Sequence, residues 1–182
     1  MTRIILTYGL ISGLVVILGV IGSIASTGGE GPHSSVLVGY LIMLVALCAI
    51  LVGVKQYRDQ TLGGVIGFGR ALVLGLGIAA IASLAYIAVW EAYLALTDYV
   101  FMDQYTAKVL ADKRAAGVSG ADYAKAAAEM ETMRVLYANP LIRMAMTFTE
   151  IFPVGLLISL VSAALLRNPR FLPARSRPVA AA

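Results

Sequence analysis

One cysteine, one histidine and one tryptophan occur among the 182 residues. The lone cysteine, Cys48, excludes an internal disulfide and leaves the redox compartment unread. Its place in the middle of an apolar run suits a small buried hydrophobe better than a reactive thiol. The lone histidine, His33 in "GEGPHSS", excludes a multi-histidine metal site and reads as a solvated loop residue. No base and nucleophile pair is apparent, so no catalytic residue, metal ligand or cofactor is expected. Charge is scarce as well: Asp, Glu, Lys and Arg make up 13% of the chain, against about a quarter in soluble domains. The glycine-rich "QTLGGVIGFGR" lacks the GK[ST] ending of a phosphate loop and follows no strand, so it reads as a tight turn.

What the chain has instead is apolar sequence. It is 60% hydrophobic, with a mean hydropathy of +0.87. Four apolar runs cover residues 4–24, 36–54, 71–97 and 141–166. A hydrocarbon core about 30 Å thick needs roughly 20 helical residues to cross, and each run meets or approaches that length. The runs lack the alternation of barrel strands, and a bare backbone in lipid must satisfy itself, so the spans are helical. The reading is an all-α membrane protein, a single integral-membrane domain over 1–182 with four transmembrane helices. "MTR" followed by an apolar run and "GSIAS" also resembles a secretory signal. At about 20 residues the run exceeds the usual signal core of roughly 7–15, which favours a retained span.

Basic residues set the orientation. Arg3 precedes the first span and the 26–35 linker holds no Lys or Arg, whereas Lys55, Arg58 and Arg70 flank the next linker. The tail 167–182 carries Arg167, Arg170, Arg175 and Arg177. This asymmetry places both termini and the 55–70 linker in the cytoplasm, as a multi-pass protein of the cell membrane. The net charge of +4 is read as topology and contact with anionic lipid, with Lys55, Arg58 and Arg70 as candidate headgroup contacts and no nucleic-acid partner.

Residues 98–140 differ from the spans in being rich in Ala, Glu, Lys, Arg and Met, which favour helix in water. Gly117 suits a helix C-cap, and Ser119 followed by Asp122 suits the start of the next helix. Span three is expected to continue outward, turn at 117–120 and return into span four at Asn139-Pro140, an extramembrane helical hairpin projecting on the order of 28 Å. Its Met and Tyr residues either pack the two helices together or form a docking surface for a partner or a twin subunit.

Two acids lie at membrane depth. Glu150 stands about 25 Å along its helix from Arg167, and Glu91 roughly 31 Å from Arg70, so both sit at similar heights near the outer side. An acid exposed to lipid there costs a few kcal/mol, so both are expected to turn inward and approach each other, with Arg143 or a tyrosine hydroxyl near one of them. Pro153 frees the Thr149 carbonyl from its helical bond. Glu150, Glu91, Arg143 and Pro153 are the candidate intramembrane polar site. Its role is either to tie spans three and four together or to bind a cation or relay protons. Sets of small residues at four-residue spacing, such as Gly9 and Gly13 or Gly155, Ser159 and Ala163, mark close helix contacts.

Two stretches carry a resemblance. "VGVKQYRDQTLGGVIGFGRALVLGLGIAAIASLAY" (52–86) holds Lys55, Tyr57, Arg58 and Asp59, then Gly63, Gly64, Ile66, Phe68, Gly69, Arg70 and Ala71. "MTFTEIFPVGLLISLVSAALLR" (146–167) holds Glu150, Pro153, Gly155, Ser159, Leu160, Ser162 and Ala163. These resemble the bacterial membrane family known as domain of unknown function 4199. The resemblance implies a four-span inner-membrane protein and supplies no activity, substrate or catalytic residue.

Three functions follow as expectations. The first is an accessory or assembly protein that meets other membrane proteins, or itself, through its spans and the 98–140 arm. The second is an oligomeric conduit for protons or a small cation, using Glu150. The third is a lipid-modifying enzyme at the cytoplasmic face, using Arg58, Asp59 and Arg70.

Overall fold

The structure is a computed structural model and describes residues 1–26 and 36–174. Most of the 26–35 linker with His33, and the tail from Arg175 onward, lie outside the described residues. Within those residues every regular element is a helix: α1 (Thr2–Ser26), α2 (Val36–Thr61), α3 (Phe68–Leu96), α4 (Phe101–Ala115), α5 (Gly120–Ala138) and α6 (Pro140–Leu166). Windows in α1, α2, α3 and α6 are long and apolar enough to cross a membrane. These four helices are compatible with a multi-pass membrane protein.

Helix α3 is the hub of the bundle, packing against α1, α2 and α6, while α2 also meets α1 and α6. The core joins Leu47, Ile50 and Val54 of α2 to Leu74, Ile78 and Ala79 of α3 and to Ala163 and Leu166 of α6. Small residues permit the close approach. A Cβ built on Gly155 would lie 2.6 Å from the Cβ of Ala79, and one on Gly75 2.9 Å from that of Ser159, so α3 and α6 nearly touch backbones. Gly9 and Gly13 seat α1 against Ile81 and Ala85 of α3 in the same way. Buried hydroxyls bond back along their own helices, Ser83 to the Ala79 carbonyl at 2.9 Å and Ser159 to that of Gly155 at 2.7 Å.

Two sequence expectations change here. Span three does not run on into the arm. Helix α3 stops because Asp98 and Tyr99 adopt left-handed φ values of 51° and 57°, and the Tyr99 amide returns to the Leu94 carbonyl at 2.8 Å. Helix α4 therefore starts as a separate rod at Phe101. Cys48 is exposed rather than buried. It shares the outward face of α2 with Leu41, Leu44, Val45 and Val52, opposite the buried Leu47, Ile50 and Val54.

Helices α4 and α5 pack against each other. Arg114 lies over the Tyr123 ring at 4.6 Å at one end of the pair, and Arg134 stands 3.4 Å from Asp103 at the other. Their connection closes as the glycine spacing requires: Gly117 takes φ +81°, its amide bonds the Arg114 carbonyl at 2.9 Å, and Val118 bonds that of Lys113 at 3.0 Å. Ser119 holds the N-cap position of α5, though its hydroxyl makes no capping bond.

Candidate functional site

The polar centre of the molecule sits where the ends of α3 and α5 meet the start of α6. Asn139 fixes that start: its side-chain oxygen accepts from the amides of Leu141 at 3.0 Å and Ile142 at 3.5 Å, and Pro140 follows as the first helical residue. Arg143 is thereby aimed at α3. Its Nε donates to Oε1 of Glu91 at 2.8 Å, its Nη2 donates to Oε2, and its Nη1 donates to the Tyr137 carbonyl at 3.1 Å. The Arg143 side chain is 4% exposed and that of Glu91 17%, so the two charges form a forked pair largely removed from solvent. The guanidinium also lies over two rings, Tyr99 at 5.1 Å and Tyr137 at 5.6 Å.

Aromatic packing frames the pair. Trp90 donates from Nε1 to the Tyr137 hydroxyl at 2.8 Å, stacks on Tyr93 at 5.3 Å between ring centres, and meets Phe101 edge-on at 4.9 Å. Burial raises the Tyr137 phenol above its ordinary pKa. The Trp90 hydrogen bond and the Arg143 charge oppose that shift, while Glu91 and Glu150 add to it. An open recess of about 340 Å³ lies beside this cluster, walled by Tyr99, Met102, Asp103, Arg134, Tyr137 and Arg143.

Of the four residues expected to form an intramembrane site, the structure brings Glu91 and Arg143 into direct contact. Glu150 and Pro153 are both exposed, and Glu150 joins none of the hydrogen bonds of the Arg143–Glu91 pair, although its carboxylate lies within electrostatic range of Tyr86 and Tyr137. The difference lies along the axis of α6: seven residues separate Arg143 from Glu150, so the two lie within about 20° of each other around the helix but about 10 Å apart along it. Pro153 is exposed, and α6 continues through it unbroken.

At the opposite end of the bundle a second cluster involves the residues expected to meet lipid headgroups. Arg58 is completely buried, which corrects that expectation for it. Its Nε donates to Asp59 at 2.6 Å, its Nη1 to the Phe171 carbonyl at 2.9 Å and its Nη2 to the Leu172 carbonyl. Lys55 pairs with Asp59 on the next turn of α2. The guanidinium thus clamps the chain beyond α6 to the end of α2, with Phe171 packed against the core. Arg70 is exposed and Lys55 partly so. The glycine pair allows this clamp: Gly63 and Gly64 turn at φ +66° and +95°, and the Gly64 amide caps α2 on the Arg58 carbonyl at 2.9 Å.

Sequence reasoning missed Tyr99 and Tyr137 as partners of the charged pair, Trp90 as the donor to Tyr137, and Phe171 and Leu172 as partners of Arg58. The aromatic density from Tyr86 to Tyr105 was the available signal for Tyr99 and Trp90, whereas Tyr137 stands outside it. A carbonyl acceptor beyond a helix end leaves no mark in side-chain identity.

Four long apolar helices about a dense small-residue core, with a forked ion pair at their arm end, define an all-helical bundle compatible with a multi-pass membrane protein. A family model described as "Protein of unknown function (DUF4199)" matches residues 7–168, and the chain belongs to that family. No match was found among curated proteins or among solved structures.

Proposed function

We propose that this chain is a bacterial inner-membrane protein of four spans that serves as an accessory or assembly factor, associating with other membrane proteins or with a second copy of itself. Both termini lie in the cytoplasm in this reading, where Lys55, Arg70, Arg167 and Arg170 gather at one end of the bundle. The α4–α5 pair stands outside as an antiparallel helical hairpin, available for docking.

The observation that carries the reading is the exposure of Glu150 on the flank of a candidate span. A carboxylate facing acyl chains costs up to a few kcal/mol by insertion scales, and a neighbouring helix that offers a hydrogen-bond donor removes much of that cost. The conduit reading is weakened, because its second acid, Glu91, is held by Arg143. The enzyme reading loses Arg58 and Asp59 to the clamp.

Thr149 is exposed beside Glu150 and offers the test. Cysteine placed there by Thr149→Cys, in a chain with Cys48→Ser, is expected to form crosslinks to another chain in native membranes. A control cysteine at the lipid-facing Leu10 is expected to form none. Absence of any adduct from position 149 would contradict the assembly reading.

A further inference from the structure

The recess at the arm end has features that a gap between helices does not require. Four separate pieces of chain wall it: the end of α3 with the Thr97–Val100 break, the start of α4, the end of α5 and the start of α6. At about 340 Å³ it falls in the size range of small-ligand sites. Tyr99 enters its wall from a left-handed backbone, φ 57°, directly after Asp98 at φ 51°. Two consecutive non-glycine residues in that region are strained, and such strain gathers at binding and catalytic sites. Here it holds the Tyr99 ring 5.1 Å from the Arg143 guanidinium.

The charges around the recess specify a partner. The wall carries two guanidinium groups, Arg143 and Arg134, and one carboxylate, Asp103, while Glu91 and Glu131 behind it pair with the two arginines. Two guanidinium groups on the wall suit an anionic group, and Asp103, the acid on the wall, whose partner Arg134 stands 3.4 Å away, is left to take a cation, so together they favour a zwitterion. Unused donors remain as well. Arg143 makes three hydrogen bonds with the five N–H groups of a guanidinium, and the Tyr137 hydroxyl accepts from Trp90 while its own proton has no acceptor among the described residues. Those donors suit an oxyanion. Around the site, Leu96 is 86% exposed and Leu141 78%, each within two residues of the wall residues Leu94 and Pro140.

We propose that this recess binds a zwitterion of the phosphoethanolamine type, its ammonium at Asp103 and its phosphate at Arg143, Arg134 and the Tyr137 hydroxyl. The same chemistry is offered by a phosphatidylethanolamine headgroup, with acyl chains along Leu96 and Leu141, and by free phosphoethanolamine in solution.

Native mass spectrometry of the detergent-solubilised full chain counts bound lipid when short-chain phosphatidylethanolamine, phosphatidylcholine or phosphatidylglycerol is titrated in. Calorimetry with O-phosphoethanolamine reads the soluble source. Phosphatidylethanolamine is expected to saturate at one molecule per chain, at least tenfold tighter than either other lipid. Saturation by the lipid alone, by the free zwitterion alone or by both supports the site and distinguishes its source. Asp103→Asn and Arg134→Gln alter exposed side chains, so the fold tolerates them, and each is expected to weaken binding about tenfold. No saturable binding of either probe, equal binding of the three lipids, or unchanged affinity in both variants would overturn the assignment.

Discussion

Arg143 and Glu91 meet across α6 and α3 in a forked pair, Nε to Oε1 at 2.8 Å, with the arginine side chain 4% exposed. Removing one partner leaves the other charge with little water to replace it. Glu91→Gln or Arg143→Gln is therefore expected to destabilise the bundle by roughly 2–4 kcal/mol, the lower part of that range reflecting the partial exposure of Glu91. Denaturation in detergent measures it. The double variant is expected to lose less than the two single losses combined, and full additivity would show that the pair is not coupled.

The contact between α3 and α6 rests on absent side-chain volume. Gly155→Leu forces atoms into a space where even a Cβ lies 2.6 Å from Ala79. A loss of about 1–3 kcal/mol is expected from such overpacking. Gly155→Ala is expected to cost less and to be partly relieved by Ala79→Gly. A rise or no change in stability for Gly155→Leu would show that the helices do not meet there.

Arg58 supplies the bonds that fasten Phe171 and Leu172 to α2. Arg58→Leu keeps bulk but abandons two carbonyls, so the segment after α6 is expected to open. Trypsin is then expected to cleave at Arg167 and Arg170 at least tenfold faster than in the parent chain. Arg58→Lys is expected to restore little, because an ammonium cannot reproduce the planar fork.

On α5, the Arg134 hydrogen bonds hold the Glu131 carboxyl below its ordinary value of 4.5. A depressed folded pKa means that the pair's support is present above that ordinary value and is lost as pH falls through the lowered one. Carboxyl carbon NMR is expected to show the Glu131 midpoint moving up toward 4.5 in Arg134→Gln. An unmoved midpoint would show that the ion pair is not populated.

The four long apolar helices were legible because apolar runs and helix length are set by one-dimensional composition. The Schellman turn at Gly117 was legible for a similar reason, since a left-handed residue there favours glycine. The end of α3 was not. Asp98 and Tyr99 adopt the same region without glycine, held by tertiary contacts such as Tyr99 against Arg143. The site was legible in part: depth along the helices put Glu91 and Glu150 at similar heights, with Arg143 two turns before Glu150, and named Arg143 as a partner for one of the acids. What was not legible is the pairing: Arg143, seven residues before Glu150 and so within about 20° of it around α6, takes Glu91 as its partner, while Glu150 does not join the pair. Arg58 shows the same gap, because a basic residue at a span end reads as a headgroup ligand until its carbonyl partners are seen.

The exposed Glu150 of α6 is the feature on which the assembly reading depends. The most direct measurement is the native mass of the protein extracted gently from its own membrane, compared with that of Glu150→Leu. The expected result is an assembly of more than one chain for the parent protein and a shift toward the single chain for the variant. A lone chain in both samples would contradict the account.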